Sequence, residues 1–133
     1  MIDILKDVVR RGTGTRARVP GVEVAGKTGT TNNYKDAWFC GFTPDVEVVV
    51  WFGQDDNRPL KKREAGGRAA APVVGAFLKE VYSRHPELSK HFPKPQGVYE
   101  MVVDGKKEIF TDISKPKKED LAPTPEDGEE LLF

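Results

Sequence analysis

Apolar residues recur at Ile2, Leu5, Val8 and Val9 with charged residues between them, the spacing of an amphipathic helix. The pattern predicts a helix over residues 2–11, ended by Gly12 and Gly14, because glycine takes the left-handed C-cap conformation at no steric cost. A loop, GTGTRARVPG, follows. Residues 22–30, VEVAGKTGT, start with apolar/polar alternation and then turn small and polar, which predicts a strand that sheds its bulky side chains toward its end. TNNYK reads as a turn, since asparagine tolerates positive φ. AWFCGF (37–42) and VEVVVWFG (46–53) read as strong strands on either side of a Thr43-Pro44-Asp45 turn. Together these strands form an antiparallel meander. Its last two are apolar on both faces, so both faces should be covered.

Further along, Ala70, Val73, Val74, Phe77, Leu78 and Val81 form one stripe within RAAAPVVGAFLKEVYSRH, a packing helix. Pro72 belongs in its first turn, where a missing N–H costs nothing. The helix is therefore expected to start near 69–71 or to kink there. VYEMVV and KEIF flank Asp104-Gly105, a two-residue hairpin signal. After Ser114 the chain is Lys, Glu, Pro and Asp, a composition expected to be disordered. The organisation read from this pattern is 1–92 as the main structured part, 93–113 as an extension with a hairpin, and 114–133 as an acidic tail.

Charge alters this picture little. Lys+Arg and Asp+Glu both number 21 in 133 residues, so no global field draws the chain to nucleic acid or membrane. Residues 1–103 carry a net +4 and residues 104–133 a net −4. The single cysteine, Cys40, rules out an intrachain disulfide framework, and its apolar surroundings predict a small buried hydrophobe. The sequence has neither a signal-peptide pattern at Met1 nor the roughly 20 apolar residues of a membrane span. Roughly 85 residues carry most of the apolar content, and a domain of that size buries only about 60–65% of its unfolded surface. Two helices also leave one face of a three-stranded sheet poorly covered, so the sequence reads as half of a sandwich.

The segment richest in chemistry is Ala25-Gly26-Lys27-Thr28-Gly29-Thr30. Residues 21–28 satisfy the phosphate-loop pattern G-x-x-x-x-G-K-[ST]. That pattern needs a buried strand before it and a helix after it, whereas RARVP precedes it and GTTNNYKD follows. The alternative is a KTG element of penicillin-reactive serine acyltransferases. There an edge strand pairs with a peptide backbone, glycine lets that backbone approach, and a lysine supplies fixed positive charge.

The run VAGKTGTTNNYKDAWFCGFTPDVEVVVWFG, with GGRAAAPVVGAF after it and MIDILKDVVRRGTGTRAR before it, resembles the C-terminal part of the transpeptidase domain of class A penicillin-binding proteins. HFPKPQGV resembles the stretch that leaves that domain, and the resemblance covers roughly residues 1–100. It implies an α/β (α+β) fold shared with serine β-lactamases, an antiparallel sheet flanked by helices. It implies a parent enzyme that cross-links peptidoglycan stem peptides through a serine acyl-enzyme and is acylated by β-lactams. By the same resemblance Lys27 matches the motif lysine of the proton relay, and Thr28 and Thr30 match carboxylate-binding hydroxyls. Gly29 matches the glycine that keeps the cleft open, and the Thr30 N–H matches one oxyanion donor. No metal or cofactor is implied. The partners implied are the stem peptide, β-lactams and the upstream part of the same domain, at the outer face of the inner membrane.

The family's S-x-N does not occur here. S-x-x-K occurs once, at Ser114-Lys115-Pro116-Lys117, where the proline prevents a helical turn from pairing Ser with Lys. The chain alone is therefore expected to be inactive. A different class of function, a non-catalytic module that binds cell-wall peptide or a partner through the same strand, remains an alternative at this point. Other candidates have plainer readings: His85 and His91 as surface histidines, Asp55-Asp56 as a solvated turn, and Arg58, Lys61, Lys62 and Arg63 as a solvated basic loop. Trp38 and Trp51 read as core packing. One of Arg16 and Arg18 could face the cleft.

Overall fold

The computed structural model describes residues 1–60, 64–103 and 105–115. These fall into two compact units, Met1–Pro93 and Lys94–Phe133.

The first unit opens with α1 (Ile2–Arg10). Val9 is its buried residue, Leu5 and Val8 are half-buried, and Ile2 is exposed. The helix does not end on a left-handed glycine: Arg11 occupies the C-cap with φ −144, and neither Gly12 nor Gly14 has positive φ. Closeness is what these glycines provide. The N–H groups of Gly12 and Gly14 both reach the Val8 carbonyl, at 3.1 and 2.9 Å. A Cβ on Gly14 would stand 2.9 Å from the Phe39 ring. A short 3-10 turn, Thr15–Ala17, follows.

The first strand is shorter than its alternation suggests. β1 spans Ala25–Thr30, while Val22 forms only an isolated bridge with Val19. Pro20-Gly21 closes that bridge as a turn with Gly21 at φ +76, and the Val22 N–H donates to the Val19 carbonyl. β1 pairs antiparallel with β2 (Ala37–Phe42), and β2 with β3 (Glu47–Phe52), in the order β1-β2-β3. The β1–β2 connection holds Asn33 at φ 65, as asparagine permits, and Tyr34 at φ 56. Thr43 through Val46 make the second turn, with the Thr43 N–H donating to the Val46 carbonyl at 2.8 Å.

α2 spans Gly66–Arg84, so it begins three or more residues before the expected start and Pro72 lies inside it. The buried stripe is rotated from the one read in the sequence: Gly66, Ala70, Ala71, Val74, Gly75, Leu78 and Tyr82 are buried, while Val73 and Phe77 are exposed. Small residues explain the shift. Gly75 and Gly66 sit where helix and neighbouring backbone nearly touch, so the closest face is the small one and the larger Val73 and Phe77 turn outward.

One core lies on one face of the sheet. Phe39 is its largest fully buried side chain, packed with Val9, Ala17, Val19, Val24, Ala70, Ala71, Val74 and Leu78. Neighbours along a strand point to opposite faces, so Trp38 and Cys40 point away from that core, and both are exposed. Trp51, directly opposite Trp38, is exposed too, as is Val49 opposite Cys40. The two indoles pack on each other, centroids 6.1 Å apart. This corrects the core reading of Trp38 and Trp51 and the buried reading of Cys40: among the described residues of this unit nothing covers that face. The poorly covered face expected of two helices on three strands is the one they occupy.

The second unit is a hairpin. β4 (Val98–Val103) pairs with β5 (Lys106–Thr111), and Val103 stands opposite Lys106. Of the two turn residues Gly105 takes φ +73; Asp104 lies outside the described residues. So do Lys61, Lys62 and Arg63 of the basic loop, Pro116 and Lys117 of the S-x-x-K match, and the tail from 116 onward.

Candidate active-site groove

The KTGT residues lie on β1, a strand with one partner in the sheet and therefore one unpaired edge among the described residues. The phosphate-loop reading fails here, because Lys27 and Thr28 sit in mid-strand and only a three-residue 3-10 turn, Asn32–Tyr34, follows the strand, where the pattern needs an α-helix. Strand alternation sends Lys27 and Gly29 to the open face, opposite Cys40 and Trp38, and Thr28 and Thr30 to the core-side face, opposite Phe39 and Ala37. The long lysine stem bridges the two sides. Its Nζ donates to the Thr28 carbonyl at 2.9 Å and lies 3.4 Å from the Thr28 hydroxyl. No carboxylate pairs with Lys27 among the described residues.

Gly29 sits close to its cross-strand neighbour. A Cβ there would stand 3.2 Å from the Trp38 Cβ, tighter than ordinary contact. Thr30 has a structural duty as well. α2 has no side-chain cap of its own at Ala65, and the Gly66 N–H instead donates to the Thr30 hydroxyl at 3.2 Å. One of the orphan amides of a helix N-terminus is thereby satisfied from a strand 36 residues away in sequence. The approach is close enough that a Cβ on Gly66 would run into the Trp38 carbonyl oxygen and stand 2.8 Å from that of Gly29.

Thr28 and Thr30 face a groove of about 430 Å³ lined also by Gly12, Thr13, Thr15, Arg16, Ala65, Gly67 and Arg68. The Thr13 and Thr28 hydroxyls lie 3.0 Å apart. The lining holds two guanidinium groups and no carboxylate. Of the two arginines left open by the sequence, Arg16 lines this groove. Arg18 instead donates its Nε to the Val9 carbonyl at 3.0 Å and lines a separate pocket beside Glu23. The contributions of Thr13, Gly66, Gly67 and Arg68 were missed in the sequence; the paired glycines of GGRAAAP were the available sign of a close backbone approach.

Electrostatics beyond the groove centres on Glu23, two residues before β1. It accepts from Lys6 at 2.8 Å, from Arg10 at 3.3 Å and from the Phe92 N–H at 2.9 Å. Burial pushes its carboxyl pKa up, but these donors and charges outweigh burial and hold it below its ordinary value. The remaining candidates take their plain readings. Asp56 pairs with Arg58 in an exposed turn, His85 lies beside Glu87, and His91 is exposed.

The family model of the penicillin binding protein transpeptidase domain matches residues 1–79. Penicillin-binding protein 1A of Pseudomonas aeruginosa is 47% identical over 105 residues, covering 78% of this chain and 12% of that protein. Its counterpart in Aquifex aeolicus is 41% identical over 97 residues, covering 73% and 13%. The crystal structure of penicillin-binding protein 1A from Haemophilus influenzae superposes with a TM-score of 0.74 at 27% identity, over 88% of this chain and 20% of that one. The chain thus spans about an eighth of the length of the curated relatives it matches. With most of its length matched by the family and its fold shared with a solved member, this chain belongs to the penicillin-binding protein transpeptidase family, in its class A branch.

Proposed function

We propose that the chain supplies one wall of the substrate cleft of a peptidoglycan D,D-transpeptidase, with β1 as the strand along which a stem peptide or a β-lactam lies. In this reading Lys27 contributes positive charge and a proton relay. The Thr28 and Thr30 hydroxyls hold the ligand carboxylate, Gly29 keeps the edge low, and the Thr30 N–H donates to the developing oxyanion. The observation that carries it is the edge of β1 that no strand pairs among the described residues, where an ammonium with no carboxylate partner among them meets a threonine hydroxyl beside a groove lined without carboxylates. Backbone pairing along such an edge is how extended peptides are bound.

The serine nucleophile and its base come from outside these residues, because the chain holds no S-x-N and its one S-x-x-K is interrupted by proline. The open face bearing Trp38, Cys40, Val49 and Trp51 is where the rest of a transpeptidase domain packs. The upstream part of that domain is the proposed partner, with the parent protein working at the outer face of the inner membrane.

Labelling with a fluorescent penicillin, read by denaturing gel and intact mass, tests this. The chain alone should give no adduct. Joined to a half that carries S-x-x-K and S-x-N, it should label stoichiometrically, and Lys27→Ala should cut the acylation rate by about 10²-fold or more. An adduct on the chain alone, at Ser83, Ser89 or Ser114, would overturn the assignment of roles.

A further inference from the structure

Pro72 has no N–H, and in an α-helix that N–H would bond the carbonyl of residue 68. The Arg68 carbonyl, in the first turn of α2, is therefore left without its helical donor. The structure supplies one from elsewhere: Nη1 of Arg16 lies 3.5 Å from the Arg68 carbonyl oxygen. Arg16 sits in the 3-10 turn Thr15–Ala17, whose backbone already packs against the helix. A Cβ on Gly75 would stand 2.6 Å from the Arg16 carbonyl oxygen. The two ends of this bond belong to the two elements that face Thr28 and Thr30 across the groove, the 12–16 loop and the start of α2.

We infer that Arg16 is a positioning residue: by taking the carbonyl that Pro72 frees, it locks the loop to the first turn of α2 and so fixes the distance between Thr13 and Thr30. Both threonines bear on the hydroxyls proposed to hold the ligand. Thr13 lies 3.0 Å from the Thr28 hydroxyl, and Thr30 accepts from the first amide of the same helix. A guanidinium suits the task because it stays charged and reaches the carbonyl from a loop with donors to spare. The inference rests on the proposed function for its catalytic readout but not for its structural one.

The test is a four-cornered cycle with Arg16→Met and Pro72→Ala, made in the full chain joined to the half that completes the domain. Pro72→Ala restores the N–H that bonds the Arg68 carbonyl, so it should make Arg16 dispensable. Arg16→Met alone should slow penicillin acylation about tenfold and speed amide exchange in the first turns of α2 by a similar factor. Pro72→Ala alone should leave both near wild type, and the double variant should return to within about twofold of it. Arg16→Lys, which keeps one charged donor, should fall between.

An Arg16→Met loss that persists in full in the Pro72→Ala background would overturn the inference and point to direct contact between Arg16 and the ligand carboxylate. An unchanged Arg16→Met would overturn it too. Failure of the functional proposal looks different: the wild type would not label, while the exchange cycle would still show the coupling between positions 16 and 72.

Discussion

Replacing Gly66 by alanine sets two effects against each other, and the structure decides the sign. At a helix start the substitution should help, by about 0.4–1 kcal/mol, because alanine restricts the unfolded chain. Here the added methyl runs into the Trp38 carbonyl and comes within 2.8 Å of the Gly29 carbonyl. Both belong to strands held in a paired ladder, so neither can swing aside as a side-chain tip would. The start of α2 must retreat by about an ångström, and such overpacking costs about 1–3 kcal/mol. The same retreat stretches the bond from the Gly66 N–H to the Thr30 hydroxyl, now 3.2 Å, past useful length, a further loss of about 0.5–1.5 kcal/mol. The net expectation is a destabilisation of about 2 kcal/mol. Urea unfolding measures it as a lowered midpoint with an unchanged m-value. A Gly66→Ala chain as stable as wild type, or more so, would refute the claim that helix and sheet backbones touch there. In the completed domain the variant should also be acylated more slowly, because Thr30 loses the partner that orients it.

Three further outcomes follow from the same geometry. Phe39→Ala empties the centre of the first unit's core and should cost about 3–5 kcal/mol in the same unfolding experiment; a loss under about 1 kcal/mol would mean that core is centred elsewhere. Glu23 is held below its ordinary pKa of 4.5, so its contribution is present above that pH and is lost as pH falls through the lower folded value. Glu23→Gln should therefore destabilise by about 1–2 kcal/mol at neutral pH, with the difference closing below pH 4.5, and a gap that widens in acid would contradict the assigned donors. Trp51→Phe removes the indole N–H that donates to Asp36 at 2.9 Å. It should loosen the turn after β1, seen as faster amide exchange at Asp36, whose N–H is held by the Thr31 hydroxyl.

Much of the first unit could be read from local pattern. The 3.6-residue spacing of α1, the two apolar strands and the Thr43-Pro44-Asp45 turn are properties of neighbouring residues, and the Asp-Gly signal between β4 and β5 is equally local. The KTGT string, Lys27 through Thr30, stood out for another reason: with its flanks it resembles one family along most of the chain, and that family's model matches residues 1–79. The errors share a cause. AWFCGF is apolar on both faces, and a one-dimensional pattern cannot say which face is covered. The helices supply one cover, so Phe39 is buried while Trp38 and Cys40, beside it in sequence, are exposed.

Helix α2 shows the same limit. Its stripe of large residues pointed toward Val73 and Phe77, and Pro72 argued for a start near 69–71. What set the actual start and face was the contact of Gly66 with the sheet and of Gly75 with the Arg16–Ala17 backbone, together with a donor from Arg16 for the carbonyl that Pro72 leaves free. The sequence by itself determined the type and order of the main elements, the family, and the KTGT string on β1. Tertiary structure alone decided which strand face is buried, which arginine enters the groove, and that Thr30 caps a helix 36 residues away. Element type follows from interactions within a few residues, whereas burial and capping depend on which distant backbone comes near enough to touch.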